Sequence, residues 1–149
     1  MPGHGIQRIR EYDSEFRLLD MQVRYDSSTV YETMERLGPA GRRAYRDYLV
    51  LDFVFIACLL VVMLTITNVL YPPSIMRTIG LAASIMRAVF DISENIMLLF
   101  MIRNWPVSDR FLPAVCSWST TLKFLMLYAW CLIVLYRLLS AAVRNFGSG

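Results

Sequence analysis

Four ionisable side chains lie inside stretches apolar enough to sit in lipid: Arg87, Asp91 and Glu94 in one, Lys123 in another. A charge at bilayer depth is costly unless it is paired or wetted, which makes each a candidate functional residue. Arg87 and Asp91, four apart, can pair on one helix face. Asp91 and Glu94, three apart, are like-charged neighbours, and one of them needs a cation from another segment or keeps its proton. Lys123 supplies that cation, and it is the one lysine among the 15 Lys and Arg residues. A compact ammonium gives up a proton on burial far more readily than a guanidinium does. The four charges sum to zero, which fits a site for a proton or a cationic group and equally fits a clasp between helices. Asn95 beside Glu94 and Asp52 in an earlier apolar stretch complete the candidate set. Asp52 is expected to pair with Arg43, Arg46 or Arg87 and to anchor its segment.

The elements that must position these groups are helices. At ~100° per residue, Gly80, Ser84, Arg87, Asp91, Glu94, Asn95 and Leu98 share an arc of roughly 100°. Ile85, Met86, Val89, Phe90, Ile92, Ile96, Met97 and Phe100 take the rest of the circumference. In the later stretch Cys116, Ser119, Thr120, Lys123, Leu127 and Trp130 share a face. Apposing the two faces sets Lys123 against the acid pair.

Three spans follow, over about 49–70, 75–102 and 114–139, each long enough at ~1.5 Å per residue to cross a hydrocarbon core of ~30 Å. Tyr71-Pro72-Pro73-Ser74 separates the first two, and Arg103-Asn104-Trp105-Pro106 ends the second; Asp109 to Pro113 is expected as loop. The composition agrees. At 56% hydrophobic with mean hydropathy +0.46, the 149-residue chain is more apolar than a soluble domain of ordinary make-up. Residues 1–47 form a polar arm whose first two dozen residues are expected to lie extended against a partner. Thr29-Val30-Tyr31-Glu32 has the form of a capping box for a short interfacial helix near 29–37. Gly38 is its C-cap, and Pro39 can open the next helix. Residues 140–149 are expected as a tail. The fold class is therefore an all-α membrane protein of three transmembrane helices behind a polar arm.

Orientation rests on arginine asymmetry. Arg36, Arg42, Arg43, Arg46, Arg103 and Arg110 lie on one side, against Arg77, Arg137 and Arg144 on the other, which places the N-terminus inside. Arg42, Arg43 and Arg46 stand among tyrosines at the expected headgroup level, a place for a phospholipid such as cardiolipin. The basic residues flank apolar spans and form no stripe, so nucleic acid is not an expected partner. Residues 1–47 have neither signal-peptide nor transit-peptide character.

Several chemistries lack their residues. The one histidine, His4, sits near the N-terminus, which excludes bis-histidine haem, histidine relays and zinc sites within the spans. Cys58, Cys116 and Cys131 show no metal or redox spacing and read as small buried hydrophobes. Ser93 and Ser119 have no adjacent base. No phosphate-binding glycine loop and no paired broken helices are present.

The pattern Leu37-Gly38-x-x-Gly41-Arg42-x-x-Tyr45, with Asp52, then Asp91-x-x-Glu94-Asn95, then Lys123, resembles a group of small polytopic membrane proteins of uncharacterised activity with bacterial and eukaryotic members. The resemblance covers roughly residues 25–130, and it implies weight for the polar stripe without implying a reaction. The expected function is a non-catalytic accessory subunit of a larger membrane complex, with other membrane subunits and phospholipids as partners. A respiratory or ATP synthase complex of the mitochondrial inner membrane, N-terminus in the matrix, is the expected setting, with a bacterial or other cellular membrane, N-terminus cytoplasmic, as the alternative. The competing expectation is a small transporter or ligand-binding protein that uses Asp91, Glu94 and Lys123. No enzyme activity, cofactor or metal is expected.

Overall fold

The computed structural model describes residues 6–14, 18–19, 22, 27–106 and 111–146. Among these residues the elements are four α-helices: α1 (Ile6–Arg10), α2 (Ser27–Leu70), α3 (Ile75–Arg103) and α4 (Phe111–Phe146). No strand occurs among the described residues. Two helical stretches, Ser28–Leu70 and Phe111–Arg144, are long and apolar enough to cross a membrane.

Backbone chemistry explains the breaks. α2 is two helical segments joined at Gly38, whose φ of 60° and ψ of −177° lie in a region essentially restricted to glycine. Pro39, which lacks an N–H, opens the second segment, where that missing donor costs little. The first segment begins at Ser27, so Thr29 lies within its first turn and accepts at its carbonyl from the Thr33 hydroxyl, 2.7 Å. Thr29 is thus not the cap that the Thr29–Glu32 pattern suggests. Tyr71-Pro72-Pro73 separates α2 from α3, and the Ser74 hydroxyl caps α3 by accepting from the Arg77 amide at 3.3 Å. α4 starts at Phe111 and runs to Phe146, longer at both ends than the expected third span. Phe111 and Pro113 are therefore helical, the proline being tolerated in a first turn, and residues 140–146 continue the helix instead of forming a tail. Asp109 and Arg110 of the expected loop, and residues 147–149, lie outside the described residues.

α3 packs against both α2 and α4, while α2 and α4 touch each other little. The apolar core occupies one end of the bundle and draws on all the elements: Ile9 and Leu19 of the arm, Val30, Met34, Leu37, Tyr45 and Leu49 of α2, Leu98 and Met101 of α3, and Cys116 of α4. Ile9 and Leu19 are fully buried. The described part of the arm therefore folds back on its own chain instead of lying extended. Gly41 permits that approach, since a Cβ there would stand 3.2 Å from the Tyr12 Cβ.

Further along the bundle the interior turns polar. Thr67 accepts a bond from the Trp130 indole N–H at 2.9 Å, and a Cβ on Gly80 would come within 2.9 Å of the Thr67 methyl, so all three long helices converge there. At the far end the Tyr71 hydroxyl donates to the Ile133 carbonyl at 2.7 Å, and Arg137 donates to the Leu70 carbonyl at 2.9 Å. That second bond satisfies a carbonyl at a helix C-terminus, where intrahelical partners run out.

Candidate functional site: a buried charge network

The buried residues of α3 are Gly80, Ala83, Ser84, Arg87, Ala88, Asp91, Glu94, Asn95, Leu98 and Met101. They recur three and four apart, the spacing that keeps one face of a helix turned inward. Polar groups fill the middle of that face. On the outside stand Ile79, Ile85, Met86, Val89, Ile92, Ile96 and Phe100. Charges within and hydrocarbon without is the reverse of a soluble helix.

The contacts form a chain. Arg87 Nη2 lies 2.6 Å from Asp91 Oδ2 on its own helix. Asp91 Oδ1 lies 2.7 Å from Lys123 Nζ on α4, and the same ammonium lies 2.7 Å from Glu94 Oε2. The two like-charged neighbours thus share one cation from another helix, as the apposition of polar faces requires. The Thr120 hydroxyl stands 2.5 Å from Glu94 Oε1 and 3.1 Å from the Cys116 carbonyl. It has one proton, and the shorter distance assigns that proton to Glu94. Cys116 Sγ reaches the Glu94 carbonyl at 3.7 Å, which makes it a packed side chain and a weak donor. Cys58 and Cys131 are exposed on outer faces, contrary to the buried reading of all three cysteines.

Asp52 enters from α2. Its Oδ2 accepts from Asn95 Nδ2 at 2.8 Å. Asn95 is the partner that the sequence leaves unassigned; of the arginines proposed for Asp52, Arg46 instead bonds Asp47 at 3.0 Å. The structure therefore brings together all six candidate residues, Asp52, Arg87, Asp91, Glu94, Asn95 and Lys123, from three helices. With Asp52 included, three carboxylates face two cations, and the formal sum is −1.

Two buried polar atoms find no partner among the described residues, Arg87 Nη1 and Asn95 Oδ1. An unpaired donor in an apolar interior carries a penalty of about 1–3 kcal/mol, more where it is charged. Beside the network lies a cavity of about 330 Å³ lined by Asp52, Arg87, Asp91 and Lys123 on one side. Its other side is apolar and aromatic: Ile6 and Leu18 of the arm with Tyr48, Leu51 and Phe55 of α2. The arm's part in this wall has no sequence signal beyond scattered apolar residues, Ile6 and the Leu18-Leu19 pair among them, in a polar segment. The described residues contain no group of three His, Cys, Asp or Glu arranged to hold a metal.

No family model matches the chain, and no curated protein or solved structure matches it either.

Proposed function

We propose that the chain is a three-span membrane protein that binds a small amphipathic ligand at its intramembrane charge network. The observation that carries this reading is the cavity of about 330 Å³ with Asp52, Arg87, Asp91 and Lys123 on one wall and hydrocarbon on the other. An amphiphile matches both walls, and its polar end offers Arg87 Nη1 the partner it lacks among the described residues. Most ligand sites are apolar pockets with a few convergent polar groups, which is the composition here. The third span is α3: its charges lower its average hydropathy, but they face inward, and the outward side chains are Ile, Met, Val and Phe. Helix burial of this inside-out kind is favourable in lipid and unfavourable in water. With three spans the N-terminus lies inside, on the arginine-rich face, and the C-terminus outside.

One observation favours a second reading, in which the chain is an accessory structural subunit of a larger membrane assembly such as an inner-membrane respiratory or ATP synthase complex. Every charge of the network meets an opposite charge or a hydrogen-bonding side chain within the bundle, which suits a clasp. The folded-back arm weakens that reading, because Ile9 and Leu19 are consumed by the chain's own core.

Extraction from membranes in mild detergent followed by native mass measurement separates the two. A 17.2 kDa chain carrying a small-molecule adduct, with the adduct lost when Arg87, Asp91, Glu94 and Lys123 are replaced together by apolar residues, supports the binding protein. A chain found only within a far heavier assembly and without an adduct overturns it in favour of the subunit.

A further inference from the structure

A second concavity, of about 600 Å³, opens at the end of the bundle where the second segment of α2 begins and α3 ends. It is lined by Pro39, Arg42, Arg43 and Arg46 of α2, Leu99, Ile102 and Arg103 of α3, and Trp105 of the turn that follows. Four guanidiniums thus converge on one cleft. The sequence groups only the first three; Arg103 lies 57 residues beyond Arg46 and joins them because α3 returns antiparallel to α2.

The four are not equivalent. Arg42 is fixed in place: its Nη1 donates to the Met34 carbonyl at 2.6 Å and its guanidinium carbon lies 4.9 Å from the centre of the Trp105 ring. Arg46 is held by Asp47, with Nε and Nη2 at 3.3 and 3.0 Å from one carboxylate oxygen. Arg43 and Arg103 are exposed. Asp47 is the one acid bonded to any of these arginines among the described residues, so the cleft retains an excess of positive charge. Its inner wall, Leu99 and Ile102, is apolar and continues into the span of α3. Trp105 sits beside them, as an aromatic ring does at the level of lipid headgroups.

We propose that this cleft is a binding site for an anionic phospholipid, whose phosphate lies among Arg42, Arg43, Arg46 and Arg103 and whose first acyl carbons lie on Leu99, Ile102 and Trp105. Guanidiniums match phosphate oxygens in pairs, and several of them around one phosphate hold it more firmly than scattered surface charges do. The apolar wall distinguishes a lipid from free phosphate, because a bare ion gains nothing from it. The site is separate from the charge network and stands whether that network binds a ligand or only joins helices.

The test uses the full chain in detergent micelles doped with phosphatidylglycerol and phosphatidylcholine at equal concentration, with bound lipid counted by native mass measurement. Phosphatidylglycerol is expected to be retained at least about tenfold over phosphatidylcholine, and the preference is expected to disappear in the Arg42→Gln, Arg43→Gln, Arg103→Gln triple variant. Arg144→Gln, at the opposite end of the bundle, is expected to keep the preference. Inorganic phosphate at millimolar concentration is expected to leave the lipid in place; displacement at equal phosphorus would make the site one for free phosphate and overturn the lipid assignment. Equal retention of the two lipids by the unaltered chain also overturns it, as does an undiminished preference in the triple variant. If the triple variant loses helix by circular dichroism, the Arg103→Gln single variant decides: exposed and not needed for packing, it is expected to lower the preference at least about threefold, and no change overturns the proposal.

Discussion

Replacing Lys123 tests the buried network most directly. The ammonium stands 2.7 Å from a carboxylate oxygen of each of two acids, and its side chain is 6% exposed. In Lys123→Met, Asp91 keeps the Arg87 guanidinium at 2.6 Å, but Glu94 loses its cation and keeps the Thr120 hydroxyl at 2.5 Å. Glu94, fully buried, is therefore the group left with uncompensated charge. Removing one partner of a buried pair costs ~3–5 kcal/mol, which at 1.36 kcal/mol per decade is a drop of roughly two to four orders of magnitude in the folding equilibrium. The variant with Arg87→Met, Asp91→Leu, Glu94→Met and Lys123→Met removes the attraction and the stranded charges together. Apolar replacement of a buried ion-paired set is often neutral or stabilising, so the quadruple variant, in which Asp52 keeps its bond to Asn95, is expected to recover most of the loss. Reversible unfolding in mixed micelles, followed by tryptophan fluorescence of both variants and the parent, measures the difference. A single variant as stable as the parent would refute the pairing of Lys123 with Glu94. A quadruple variant no more stable than the single one would show that the network is more than a sum of charge pairs.

Gly38→Ala is expected to destabilise the chain by about 1–3 kcal/mol, because φ 60° with ψ −177° strains any side chain; an unchanged melting midpoint would mean that the two segments of α2 meet in another geometry. Gly80→Ala sets a methyl 2.9 Å from the Thr67 side chain. The overpacking is expected to cost about 1–3 kcal/mol and, through Thr67, to alter the emission of Trp130; a thermal scan with fluorescence readout checks both. Tags at the two ends are expected on opposite faces of the membrane, N-terminal inside, and protease protection of both tags on the same side would remove α3 as a span.

The sequence alone determines the three long helices and their inward faces. The run of apolar residues over α2 and α4 dictates helix in a low-dielectric medium, where every backbone donor needs an internal partner. The spacing of Arg87, Asp91, Glu94 and Asn95 sets them on one side of α3 whatever lies beyond, because the period of a helix is local. Gly38-Pro39 marks the break in α2 for the same reason: backbone preference depends on the residue and its neighbours. The pairing of Lys123 with the acids is half legible, since charge balance demands a cation and only one other apolar stretch carries it.

Tertiary structure alone decided the rest. Asp52 joins Asn95 and not an arginine, because the depth at which α2 crosses α3 sets which side chains meet, and no local pattern encodes that depth. Asp52 then turns a neutral quartet into five groups with an excess carboxylate. Ile6 and Leu18 close a cavity over the network only because the arm folds back past Gly41. Arg103 meets Arg42, Arg43 and Arg46 only because the short Tyr71–Ser74 turn returns α3 antiparallel. Each of these depends on the axial register between helices. Many side chains fix that register weakly and jointly, whereas helical periodicity is fixed by the chain's own backbone.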